Sequence, residues 1–321
     1  MRDFWLVVTF IMVALRRALM VAWVRINKFL SNSDWLIQRT TEYHHKVVII
    51  GDGFAEGLGD WITLGGSAGL VRQLEKLVAK DEKVRMRWEF VNRGKSGTTS
   101  ADWLPSDEKS LYARKVESAV CRDAEIFVVC LGTMDLVTES VGMPVAAMRK
   151  NALDDYSEDE LCETVRNVRE ICEALRSAGK KVIFCNVMTS GVGITDQVGT
   201  AKRVNRQLTL YARQSAAEAG RKNDGVDPAR LVKLNNPRSE RNDGRAFDGL
   251  HLNARGYRAF ADSVYEPLGP MMVSVEWKVW KTKLPPALVA GAEAPKSRSR
   301  GVAVVSGANE KPKGDLSKKV D

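Results

Sequence analysis

Five short runs of β-branched and aromatic residues alternate with helical patterns along this chain, and that alternation limits what it can fold into. The runs are KVVII (46–50), VRMRWEFVN (84–92), EIFVVCLG (125–132), KKVIFCNVM (180–188) and ARLVKLN (229–235). Apolar residues recur at helical spacing near 68–80, 108–120, 157–178, 198–221 and 254–265. Strands that are apolar without alternation are covered on both faces, which a parallel sheet with helices on each side provides. Right-handed crossovers then give an α/β three-layer sandwich with a five-stranded parallel sheet. In such sheets ligands bind beyond the carboxyl ends of the strands.

Four stretches occupy those ends. Gly51-Asp52-Gly53 follows the first run, Asn92-Arg93-Gly94-Lys95-Ser96-Gly97-Thr98 the second, and Gly132-Thr133-Met134-Asp135 the third; Asp248-Gly249-Leu250-His251 precedes the last helix. In this order they resemble the blocks of the SGNH (GDSL) hydrolase family of esterases and lipases, whose fold is flavodoxin-like, over roughly 46–265. The resemblance implies a role for each position. Gly53 stands where the family has its attacking serine, and Met134 where an asparagine completes the oxyanion hole. Gly97 matches the glycine whose amide donates to the oxyanion. His251 and Asp248 match the general base and the carboxylate that orients it.

Glycine offers no attacking atom, and methionine cannot donate a hydrogen bond. The amides of Gly53 and Gly97 can still hold a carbonyl or an anion. The expectation is therefore a catalytically impaired member that binds a small ester or acyl-like ligand. A rival is a slow ester hydrolase: loss of the serine hydroxymethyl leaves room for a water that Asp248 and His251 activate, or a nearby hydroxyl attacks instead. A third reading is an interaction protein whose ends do the work.

Other constellations carry less. Gly65-Gly66-Ser67-Ala68-Gly69 matches a nucleophile elbow in letters but lacks a good preceding strand, so Ser67 is expected as the N-cap of the helix AGLVRQLEKLV. Ser96 and Thr98 are expected to stabilise their turn, and His44 and His45 to be solvated before the first strand. Asp52 and Asp135 are expected to brace their own loops rather than join Asp248 and His251 around a metal. No metal or cofactor is expected; GDGFAEGLGD lacks the spacing of a dinucleotide loop.

Charge places the remaining functions. The chain carries a net charge of +9, but residues 1–30 hold five Lys/Arg against one Asp, and residues 276–321 ten against five acids. The body between is neutral, and no nucleic-acid motif is present, so nucleic acid is not an expected partner. Three regions follow: an apolar, basic N-terminal helix over 1–30, the hydrolase-like domain over 31–275, and a basic, largely disordered tail over 276–321. Within WKVWKTKL (277–284), aromatic and apolar residues alternate with lysine. The segment FWLVVTFIMVALRRALMVAWVRI (4–26) is interrupted by Arg16 and Arg17, each costing ~2.5–3.5 kcal/mol at a bilayer centre. A helix lying in the interface or a short anchor fits it better than an unassisted span. A helix packed on the body or another chain, or a removed targeting peptide, stays open. Cys121, Cys130, Cys162, Cys172 and Cys185 lack a CxxC and read as reduced, buried thiols. The expected location is thus a membrane surface on a reducing side, cytoplasmic or organellar.

Overall fold

The computed structural model describes residues 2–31, 44–60, 66–136, 161–188, 196–222, 226–234, 244 and 251–283. Asp248, the WITL segment and the tail beyond 283 lie outside the described residues. The chain divides into a unit of residues 1–278 and a second of 279–321, of which only 279–283 is described.

Among the described residues, five strands form one parallel sheet: β1 (His44–Gly51), β2 (Arg87–Asn92), β3 (Ile126–Cys130), β4 (Lys181–Cys185) and β5 (Arg230–Val232). Their order is β2-β1-β3-β4-β5. Val47 and Val48 of β1 pair with Ile126 and Phe127 of β3, and on the other side with Phe90 and Val91 of β2. Strand alternation sends these neighbours to opposite faces. Val47 and Ile49 join a core with α3 (Gly69–Val78) and the last helix, α7 (Ala254–Lys283). Val48 and Ile50 join the other core, under α5 (Glu163–Ser177) and α6 (Asp196–Lys222). The order reverses between β1 and β3, and this switch point opens the crevice where such sheets bind ligands.

All five expected strands form. Two helical expectations change. The 108–120 pattern is a π-type turn at Tyr112–Val116 followed by the short α4 (Ala119–Arg122), with Ser118 Oγ donating to Lys115 O at 2.7 Å between them. The last helix does not stop near 265. It runs to Lys283 through Pro267 and Pro270, past the expected edge at 275. Each proline removes a backbone donor. Leu268, Met271, Met272 and Val275, all buried, hold the helix in place, and Glu276 accepts from Arg85 N, Met86 N and Trp88 Nε1 at 2.8–3.0 Å. His45 is likewise not a solvated loop residue. It lies inside β1, buried, with Nδ1 2.7 Å from Glu125 Oε1.

The N-terminal helix α1 (Arg2–Ser31) contains a stretch, Val7–Leu30, long and apolar enough to cross a membrane by length and composition. Its later half packs on the body. Met20 and Val24 form a small buried cluster with Leu58 and Ala68.

Candidate active site

β1 ends at Gly51, and its backbone φ of 143° with Cys130 O pressed close explains why no side chain stands there. Asp52 then caps α2 (Gly53–Glu56), its Oδ1 accepting from Phe54 N at 3.0 Å. Asp52 is fully buried, and burial pushes its carboxyl up to about 7; Asp135 nearby adds to the rise, while the amides of Phe54 and Met134 oppose it. Asp135 accepts from Ser100 N at 3.0 Å, Ser100 Oγ at 2.5 Å and Thr164 Oγ1 at 3.3 Å. Both aspartates brace backbone, but only Asp52 does so in its own loop as expected. Asp52 holds its own turn, whereas Asp135 reaches across to the loop after β2.

The decisive contact lies between Gly53 and His251. A Cβ built on Gly53 would overlap His251 Nε2 and stand 3.0 Å from Cδ2 and 3.1 Å from Leu58 Cδ1. The imidazole is 1% exposed and tilts against Phe54 with ring centroids 5.4 Å apart. The space a serine side chain would start from is taken by the histidine itself. This corrects the expectation that the missing hydroxymethyl leaves room for a water. Met134 is buried in the same core as Phe54, Cys130 and Leu252, so this wall of the crevice is apolar.

The opposite wall is the loop after β2. Asn92 Nδ2 donates to Glu56 O at 3.2 Å, and Asn92 Oδ1 accepts from Gly94 N at 3.1 Å. Glu56, buried in α2, accepts from Ser96 N at 2.7 Å and pairs with Lys28 of α1 at 3.5 Å. Lys28 also donates to Gly94 O, and Lys115 Nζ to the preceding carbonyl, Arg93 O, at 3.1 Å. Burial, with Lys28 beside it, lowers the Lys115 ammonium to about 7, and Glu56 works the other way. Gly97 tops the loop at φ 76°, with nothing within 4 Å of where a Cβ would sit.

A family model for the GDSL-like lipase/acylhydrolase family matches residues 49–259, spanning all four blocks. The chain belongs to that family. No curated protein matches the sequence. Among solved structures, a lipase from a goat rumen metagenome superposes with a TM-score of 0.51 at 13% identity, covering 69% of this chain and 96% of that one. A Clostridium thermocellum family 3 carbohydrate esterase gives 0.48 at 15%, covering 72% and 98%. A GDSL-like lipase from Bacteroides thetaiotaomicron gives 0.45 at 16%, covering 78% and 99%. These likenesses concern the fold.

Within this GDSL-family frame, Asp52, Gly53, Met134 and His251 come together at the switch point, and Gly97 crowns the facing loop. Two hydroxyls near the site have other work. Thr98 Oγ1 donates to Lys95 O at 2.7 Å, and Tyr257 OH to Leu58 O at 2.8 Å. Ser67 is not the N-cap expected of it. Ala68 occupies that position, Asp60 Oδ2 accepts from Gly69 N at 2.9 Å in its stead, and Ser67 Oγ bonds Glu75 Oε1 at 3.1 Å. The residues that sequence reading missed are Glu56, Lys28 and Lys115. A single acid inside the apolar, glycine-rich GFAEGLG was a usable signal for Glu56; nothing local marked its lysine partners.

Proposed function

We propose that this GDSL-family chain binds a small ester or acyl-like ligand without hydrolysing it appreciably, and serves as a ligand-binding or scaffold module at a membrane surface on a reducing side. The observation that carries the reading is the imidazole of His251 lying in the space of the absent serine at Gly53. A base so placed has no protein hydroxyl at that position to deprotonate. The apolar Met134 wall adds no donor for a tetrahedral oxyanion, a lack that costs ~10²–10³ in rate where such donors have been removed. The Gly53 and Gly97 amides are the groups left to hold a carbonyl, and Asp248 the group to orient His251.

The test is turnover of a short-chain p-nitrophenyl ester by the full chain. The wild type is expected to stay at the buffer rate. Gly53→Ser with Met134→Asn is expected to raise turnover by at least about 10³-fold. That is well short of the ~10⁶ a nucleophile supplies in subtilisin, because His251 must first withdraw. Wild-type turnover that His251→Ala abolishes would sink the proposal in favour of a slow hydrolase.

A further inference from the structure

The two halves of α1 have different surroundings. Residues 9–19 are exposed on every face of the helix, including Phe10 at 75%, Ile11 at 56% and Leu15 at 53%. From Met20 onward one stripe is buried: Met20, Val24 and Asn27, spaced i, i+4, i+7, face the body. Lys28 then clasps Gly94 O and Glu56. Residues that pack on Leu58 and close an ion pair with a buried carboxylate cannot also be solvated by lipid tails. The stretch Val7–Leu30 therefore does not cross a bilayer as one span while it stays docked.

The apolar run that remains, residues 4–15, of which 5, 7 and 9–15 are exposed, is about 18 Å long at the helical rise. Half of a ~30 Å hydrocarbon core is about 15 Å, so an upright helix would carry Arg2 and Asp3 to the bilayer centre at the cost that argues against Arg16 and Arg17 there; a strongly tilted one keeps them within reach of the headgroups. Arg16 and Arg17, both exposed, follow directly where lipid phosphates would lie. A helix apolar on all sides has no water-facing side to keep in an interface, so it enters rather than lies flat. The exposed Arg25 and the half-buried Lys28 continue the positive charge toward the body. We infer that α1 is a one-leaflet anchor for an anionic phospholipid bilayer: residues 4–15 sink into the near leaflet at a steep tilt that leaves Arg2 and Asp3 close to the headgroups, Arg16 and Arg17 meet headgroup phosphates, and the docked half fixes the crevice above the surface. Lys28 is eleven residues from Arg17, so the Glu56–Gly94 edge of the crevice stands about 16 Å from the headgroup plane along the helix axis.

The inference rests on the reading that α1 meets a membrane, and the experiment separates the two. Full-length protein is added to preformed vesicles of phosphatidylcholine and phosphatidylserine, and binding is scored by flotation. Fluorophores are placed at Phe10→Cys or Phe29→Cys in a Cys162→Ser background. Flotation is expected, with the position-10 probe shielded from iodide and quenched by acyl-chain quenchers, and the position-29 probe open to iodide. Arg2→Cys is expected to stay unlabelled by an impermeant maleimide trapped in the lumen. Arg16→Gln with Arg17→Gln should weaken binding about 25-fold, near fivefold per charge; unchanged binding would overturn the headgroup placement. Lumenal labelling with a shielded position 29 would overturn the one-leaflet anchor alone. No flotation, with a dimer in lipid-free buffer, would show a second copy covering α1 and would overturn membrane contact as well.

Discussion

The two walls of the crevice are held to different degrees. The loop after β2 is tied at nearly every residue: Asn92, Glu56, Thr98 and Asp135 hold 94, 96, 95 and 100 by hydrogen bonds of 2.7–3.1 Å. Across from it, Gly53 and Met134 present no polar side chain, and a histidine has settled into the gap. Reacting and bracing positions are even adjacent in sequence, as Asp52 beside Gly53 and Met134 beside Asp135. The contrast teaches that the groups shaping this cleft are separate from those that would do acyl transfer in it. Shape can therefore persist without the reaction, which is what a binding module requires.

The comparison breaks first at Asp52, if its carboxylate is not the costly brace described. Its folded-state pKa is raised from 3.8 to about 7, so the native chain keeps a proton that the unfolded chain releases. Stability from this group is full below the unfolded pKa and is lost as pH rises toward 7, by at most about 4 kcal/mol. Denaturant melts at pH 5 and pH 7 should show the protein more stable at the lower value. Asp52→Asn, which can still accept from Phe54 N, should remove much of that slope, leaving the part due to Asp135. An unchanged slope in the variant would mean the carboxylate is not held in this environment.

Next in size is Glu56. Its replacement by Ala leaves Ser96 N–H without its acceptor and the half-buried Lys28 without its carboxylate, a loss of about 3 kcal/mol in unfolding free energy. Adding Lys28→Met should cost less than the sum of the two single changes, since they share one interaction. Strict additivity would show that α1 and the β2 loop are held independently.

What the sequence disclosed follows the range of the forces involved. Strand runs such as IFVVC are legible because burial on both faces forces local apolarity, and the switch point follows from strand order alone. The placement of Gly53 and Met134 was readable because each sits a fixed step beyond a strand. The course of α7 through Pro267 and Pro270 was not, because proline reads locally as a stop and only tertiary packing overrides it. The same holds for Ser67, whose helix is capped by Asp60, and for His45, whose partner Glu125 lies eighty residues away. Collapse of His251 onto Gly53 is a packing event between positions about 200 residues apart, invisible to any window of sequence.

The smallest effect belongs to Gly97, and it separates backbone strain from packing. Its φ of 76° disfavours any L side chain, yet a Cβ there meets nothing within 4 Å. Gly69, at φ 56°, has the same backbone problem, but a Cβ there would overlap Gly57 Cα and press on Tyr257 at 3.1 Å. Gly97→Ala should therefore cost only the left-handed penalty of about 1 kcal/mol, while Gly69→Ala costs distinctly more. Equal losses from the two in chemical denaturation would mean that the Gly97 loop is packed against something. In that case the β2 wall would be closed where the crevice has to open, and the Gly97 amide could not reach a ligand.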